Sequence, residues 1–460
     1  MLNQMMFGRG DFNLNAACWK TDITPPVGTP IGGNVRDDQT SKGIHDPLFA
    51  NLLYLSNRGT GILLIGLDVI GVDQSLVKAM KEGIQSACGI PEEHIAIFAT
   101  HTHSGPDLME AFKTDDHPLI KEYKSWLVQQ VIEAGRQCVR KTWGAKVKIG
   151  RADEDSLSFN RRLVMKDGTV RMNWEDIDPE AVSGTTGGID PELLVLSVFD
   201  LNNRLRSLVV NFTLHPAVLV GQDGRFSRDY IHFLTRGLEE HFDRDLVVLF
   251  ANGAEGNINH ININHPDQPR DYKEAERIGR KLANQVLAVF DRDRSIEQPQ
   301  LQIQTEWMRL PCRPIRREQY EEAKQLLAET KGFIPSLLDG VPDEMYALEL
   351  VLLYEEGRKS LTTPIQVAAV QDSAFVFLPG EFFVEFGLEI KKKSPFVHTF
   401  IVGMANDYIG YVPTAKAIEE GGYEVRTART SRLTANAGNV VVARVVQMLK
   451  VIHGSIEKQI

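Results

Sequence analysis

Four cysteines in 460 residues, Cys18, Cys88, Cys138 and Cys312, are too scattered for a disulfide framework or a Cys-x-x-Cys zinc site, so reduced thiols are expected. No Lys/Arg-rich block is present, and a formal net charge of -10 excludes the concentrated basic surface that nucleic acid requires. No apolar run approaches the roughly 18 residues of a membrane span. The best candidate, Gly61 to Val72, is interrupted by Asp68 and reads as a buried strand. Met1 to Asn15 lacks the basic start and apolar stretch of a secretory signal, which leads to the expectation of a cytoplasmic protein without a transmembrane segment. Internal repeats and Pro/Gly/Ser linkers are missing too, so a single domain over residues 1–460 is expected.

What is present is an alternation of short β-branched runs and amphipathic stretches. Gly61–Ile70, His94–Thr100, Lys146–Gly150, Leu193–Phe199, Ser207–Leu214, Leu246–Phe250, Ala374–Leu378 and Phe400–Gly403 read as strands. Gln74–Cys88, Ile120–Lys141, Arg228–Phe242, Asp271–Arg292 and Glu318–Thr330 have helical spacing with charged outer faces. The pattern predicts an α/β fold with a large β-sheet core flanked by helices and a site at strand ends. Residues 313–358, charged and broken by Pro335 and Pro342, read as a helical insertion: a lid, a homo-oligomer contact, or a plain surface excursion.

The strongest chemical signal is Thr100-His101-Thr102-His103-Ser104-Gly105-Pro106, directly after the apolar run Ile95 to Ala99. Histidines two apart on an extended chain share one face and can enter one cleft; neutral imidazole binds zinc, and a second ring can carry a proton. Three other runs have a similar ending. Leu208 to Thr213 leads to His215-Pro216, Phe375 to Leu378 leads to Gly380-Glu381, and Phe400 to Gly403 leads to Tyr408 and Tyr411. Loops beyond the carboxyl ends of strands are where α/β proteins assemble sites. Taken singly, His215 reads equally as a structural histidine and Glu381 as a helix-capping residue.

Two histidines and a carboxylate form a known catalytic zinc pattern, suited to lowering the pKa of water to about 7 and polarising a carbonyl. The Gly-rich run from Ala251 to Asn257 lacks the Lys-Ser/Thr ending of a phosphate loop. It reads as cleft wall, with Asn252 and Glu255 as candidates for polar contacts. Asp68 is a carboxylate in an apolar run that needs a partner, and orienting a ligand histidine would supply one.

In their order along the chain, these motifs resemble the catalytic domain of the neutral, non-lysosomal ceramidases. The resemblance runs from Lys20-Thr21-Asp22-Ile23-Thr24-Pro25-Pro26 through Gly43 to Pro47, the His101–Pro106 stretch, Asn160-Arg161, Gly188 to Glu192, His215-Pro216 and Gly253 to Asn257. It ends in Pro379-Gly380-Glu381 and Tyr408-Ile409-Gly410-Tyr411. It implies one catalytic Zn2+ held by His101, His215, Glu381 and Tyr411. It also implies His103 as a non-ligand proton carrier, Arg161 and Tyr423 as groups acting on substrate, and Gly33 as a backbone contact to it. The implied activity is zinc-dependent hydrolysis of a linear N-acyl amide, on a small-molecule or lipid substrate. A small polar amide or ester, and an inactive metal-binding homologue, are the alternatives. Ceramidases of that family carry an immunoglobulin-like domain after the catalytic one and are typically secreted or membrane-associated. The expectation is that this chain corresponds to the catalytic domain alone.

Overall fold

The computed structural model describes residues 14–33, 39–109, 111–113, 117–221, 223–242, 244–265, 267–290, 294–296, 299–330 and 340–458. Most of the N-terminal stretch read for a signal, Asn34 beside Gly33, and residues 331–339 of the expected insertion, Pro335 included, lie outside them.

The largest sheet is mixed. Its main path runs Val247–Asn252, Leu205–Phe212, Glu192–Asp200, Trp143–Asp153, Asn15–Asp22, Phe49–Asn57, Thr60–Leu67 and Ile95–Ala99, with Arg294–Ile296 paired beside Trp143–Asp153. Only the first two and the last two strands of this path pair in parallel. In Val247–Asn252, Leu205–Phe212, Glu192–Asp200, Thr60–Leu67 and Ile95–Ala99, successive residues are buried on opposite faces, which is why these read as continuous apolar runs. In Glu192–Asp200, for example, Leu194, Leu196 and Val198 enter an inner core while Leu193 and Val195 face helices. The inner core is shared with a second sheet, Leu301–Pro311, Ser360–Val370, Ser373–Phe377 and His398–Val402, through Phe375, Phe377 and Phe400.

Helices cover the outer faces. Gln74–Cys88 starts where the Asp73 carboxylate accepts the Leu76 N–H and stops at Gly89 in the left-handed region, burying Leu76, Val77, Met80 and Ile84. With Pro118–Val139 it packs on one half of the large sheet. Tyr230–His241 and Tyr272–Phe290 cover the other half, and Val384–Lys393 and Ala437–Glu457 cover the second sheet. Ala437–Glu457 has the length and hydropathy of a membrane span, contrary to the expectation that no segment would. Its Val441, Val445, Leu449 and Ile452 are core residues of the second sheet.

Four long strands went unread in the sequence: Asn15–Asp22, Phe49–Asn57, Leu301–Pro311 and Ser360–Val370. Leu301–Pro311 is mostly half-buried and mixes Gln302, Gln304, Thr305, Glu306 and Arg309 among its apolar residues, and Ser360–Val370 contains Pro364. Pro364 is tolerated because Ser373–Phe377 begins to pair only at Gln366, leaving the proline outside that ladder. The expected helical insertion contains Arg317–Glu329 and Asp343–Glu356. Val341 and Met345, at the start of the second helix, pack against Phe112 and Tyr423 and line the cavity described below.

Candidate active site

The carboxyl ends of three parallel-paired strands open onto one cavity of about 490 Å³. Ile95–Ala99 delivers His101 and His103, Leu205–Phe212 delivers His215, and Ser373–Phe377 delivers Glu381. The Ile95–Ala99 strand is tied to the second sheet by Asn406, whose backbone and side chain both bond Ile97 and whose amide donates to Gln366. Glu381–Phe382 and Tyr411–Val412 form a parallel bridge that sets Glu381 beside Tyr411. Gly410 makes this approach possible: its φ is +84°, and a Cβ would meet the Thr430 carbonyl at 2.3 Å.

His101 has a positive φ of 70°, an uncommon conformation held by its N–H to the Val69 carbonyl. Its Nδ1 lies 2.6 Å from the Ile70 carbonyl, and His215 Nδ1 lies 3.1 Å from the Glu255 carbonyl. Carbonyls only accept, so both Nδ1 atoms carry a proton and both rings turn Nε2 inward; burial opposes a charge on His101, but the Glu381 carboxylate raises its pKa above the ordinary imidazole value. These two Nε2 atoms are 3.0 Å apart, and His103 Nε2 is 3.3 Å from that of His101. Glu381 Oε2 stands 3.5 Å and 3.4 Å from the same two nitrogens and, although buried, has no hydrogen-bond partner. Facing lone pairs beside an unsatisfied carboxylate oxygen repel unless a cation lies among them. The donor spacing is that expected around one ion bound at about 2.0–2.2 Å.

The electrostatics report the same crowding. Burial and the neighbouring His101 hold His215 well below the ordinary imidazole value. Burial first, then His101, pushes His103 down to about 3. Burial opposes the charge on Glu381, but His101 and the Tyr411 hydroxyl keep its carboxyl below the usual range. Tyr408 donates to the other oxygen, Oε1, at 2.8 Å.

Across the cavity, Arg161 lies 5.4 Å and 5.8 Å from the rings of Tyr411 and Tyr423. Buried Glu424 holds it through Nε at 2.8 Å and takes Arg162 at 2.8 Å on its second oxygen. Gly33, with φ +96°, also lines the cavity, and a Cβ there would meet His103 Cγ at 2.7 Å.

Two of the expected residues are placed elsewhere. Asp68 does not orient a site histidine: it accepts from the Phe49 N–H at 2.9 Å and faces Arg228 at 3.9 Å, while backbone carbonyls fill that role for His101 and His215. Asn252 does not reach the cavity. It is fully buried and accepts from the Leu214 N–H, shaping the turn before His215. The sequence reading also passed over Trp174, Asn259, His260 and Arg270, all of which line the cavity. Asn259 and His260 end the strand-to-loop run that was read only as cleft wall, and Trp174 and Arg270 lie outside any strand-end motif.

No family model matches the chain. The neutral ceramidase of Pseudomonas aeruginosa is 22% identical over 450 residues, covering 84% of this chain and 64% of that protein's length. The crystal structure of neutral ceramidase from Pseudomonas aeruginosa superposes with a TM-score of 0.72 at 19% identity, over 98% of this chain and 75% of that one. A ceramidase complexed with C2 gives 0.73 at 17% identity, over 97% and 76%. The chain is similar in sequence to that neutral ceramidase over most of its own length, spans less than two thirds of that protein, and shares the ceramidase fold over nearly all of its residues.

Proposed function

We propose that this protein is a zinc-dependent hydrolase of an N-acyl amide bond. One observation carries the reading: His101 and His215, each fixed through Nδ1 by a backbone carbonyl, aim their Nε2 atoms at a point shared with an unsatisfied Glu381 oxygen. Imidazole nitrogens with a carboxylate suit zinc better than magnesium or calcium, which take oxygen ligands. His101, His215, Glu381 and Tyr411 would hold the ion. Bound zinc supplies Lewis acidity toward a carbonyl and lowers the pKa of water.

The chain's own groups do the rest. Arg161, with buried Nη2 unpartnered, and the Tyr423 hydroxyl orient the substrate carbonyl oxygen and stabilise the charge that develops on it. As water adds to the substrate carbonyl, His103 accepts its proton at Nε2 and returns it to the amine as the C–N bond breaks. Burial of the rings keeps bulk water away and strengthens these contacts. The homology to a ceramidase supports an amide as the bond cleaved. A second reading makes His103 a third nitrogen ligand, because all three imidazoles bring donor atoms within 4.8 Å of one another. Metal analysis together with turnover of an N-acyl amide panel tests the proposal. One bound zinc and measurable amide cleavage support it; a metal-free, fully active protein refutes it.

A further inference from the structure

The wall of the cavity formed by Asn259, His260, Ile261 and Arg270 has no part in the chemistry above. His260 is 2% exposed, and neither of its ring nitrogens has a hydrogen-bond partner. Its backbone is fixed, since its carbonyl accepts from the Gln268 amide at 2.9 Å. A neutral imidazole carries one donor and one acceptor, and leaving both unmade in a buried position is unfavourable unless a ligand fills them. Nearby Glu274 does not serve, because its carboxylate is taken by Arg277 at 2.6 Å and by Gln268 at 2.8 Å.

Arg270 lines the same wall and makes no ion pair among the described residues. Of the other charged residues on the lining, Arg161 and Glu381 belong to the site above, and Asp107 and Lys113 are joined at 3.2 Å and largely cancel. The wall thus carries an uncompensated positive charge beside an unsatisfied imidazole. Phe112, Val341 and Met345 instead give the cavity an apolar side.

Resting on the amide-hydrolase reading, we infer that the substrate is an N-acyl amino acid. Its carboxylate is met by Arg270 and hydrogen-bonded by His260, and its acyl chain lies along Phe112, Val341 and Met345. A neutral lipid amide leaves buried His260 without a partner, forgoes the attraction of Arg270, and is the poorer substrate.

The test compares N-hexanoylglycine with N-hexanoylglycinamide, which differ only in the charge at that end. The zinc-loaded protein is expected to favour the carboxylate by about tenfold or more in kcat/KM, mostly through KM, the scale of a charge-assisted hydrogen bond. Arg270→Gln, at an exposed position that folding tolerates, brings the ratio of the two substrates close to one. His260→Phe keeps the ring's bulk and lowers the same ratio several-fold with zinc content unchanged. Equal kcat/KM for the two substrates in the unaltered protein overturns the inference, as does an Arg270→Gln variant with the ratio intact. If neither compound nor any other amide is cleaved, the hydrolase reading fails. Calorimetric binding of the same pair then decides the anion preference independently: tighter, Arg270-dependent binding of the carboxylate sustains it, and equal binding ends it.

Discussion

Replacing His101 with Ala gives the sharpest test of the site, because its Nε2 is the one imidazole nitrogen close to both of the others and to Glu381. Apparent zinc binding energies of about 10–16 kcal/mol over four ligands assign roughly 3 kcal/mol to each, or about a hundredfold in affinity. At zinc 100 times the original dissociation constant, the unaltered protein gains about 2.7 kcal/mol of stability and the variant only about 0.4. With an unfolding entropy of about 2.1 cal/mol/K per residue over 460 residues, each kcal/mol is worth about 1 °C. Scanning calorimetry should therefore record a zinc-induced rise in Tm of about 3 °C that nearly vanishes in His101→Ala. Turnover of the amide panel should be lost in parallel. His103→Ala should retain the rise and lose rate alone if His103 carries the proton, and should lose both if it is a ligand. A His101→Ala protein that binds one zinc with undiminished affinity and activity would refute the reasoning.

Glu424→Gln leaves Arg161 and Arg162 buried without their shared carboxylate; urea unfolding should register a loss of roughly 3 kcal/mol, accompanied by slower turnover. Gly33→Ala combines a φ of +96° with a Cβ 2.7 Å from His103 Cγ, so kcat should fall at least tenfold while zinc content stays near one, a split read from kinetics and metal analysis on the same sample. Burial pushes the Glu255 carboxyl up to about 8, and neither of its oxygens has a partner. In the metal-free protein the folded state then holds a proton that the unfolded chain has released, so this group erodes stability as pH rises from about 4.5 to 8. Metal-free Glu255→Gln should consequently match the original Tm at pH 4 and exceed it at pH 8; equal melting curves at both values would count against this account.

Much of the scaffold follows from local physics. The Gln74–Cys88 helix is fixed by Asp73, Gly89 and a buried stripe, and the buried strands are apolar because both faces are covered. Their alternation with helices is enough for an α/β fold and for expecting His101, His215 and Glu381 at strand ends. Other assignments needed the third dimension. Asp68 demanded a buried partner, but only the fold supplies Phe49 and Arg228 in place of a histidine. The ring nitrogens of His101 and His215 point inward because of the Ile70 and Glu255 carbonyls, and backbone acceptors leave no trace in residue identity. Leu301–Pro311 and Ser360–Val370 were hidden by interspersed polar residues and a proline whose tolerance depends on where a neighbouring ladder begins. His260 and Arg270 became visible only once the chain was folded, since a cavity wall is a property of packing between distant segments. The amino-acid sequence determined which groups were available and which runs had to be buried. Tertiary structure decided which of those groups face one another, because long-range register and packing have no local signature.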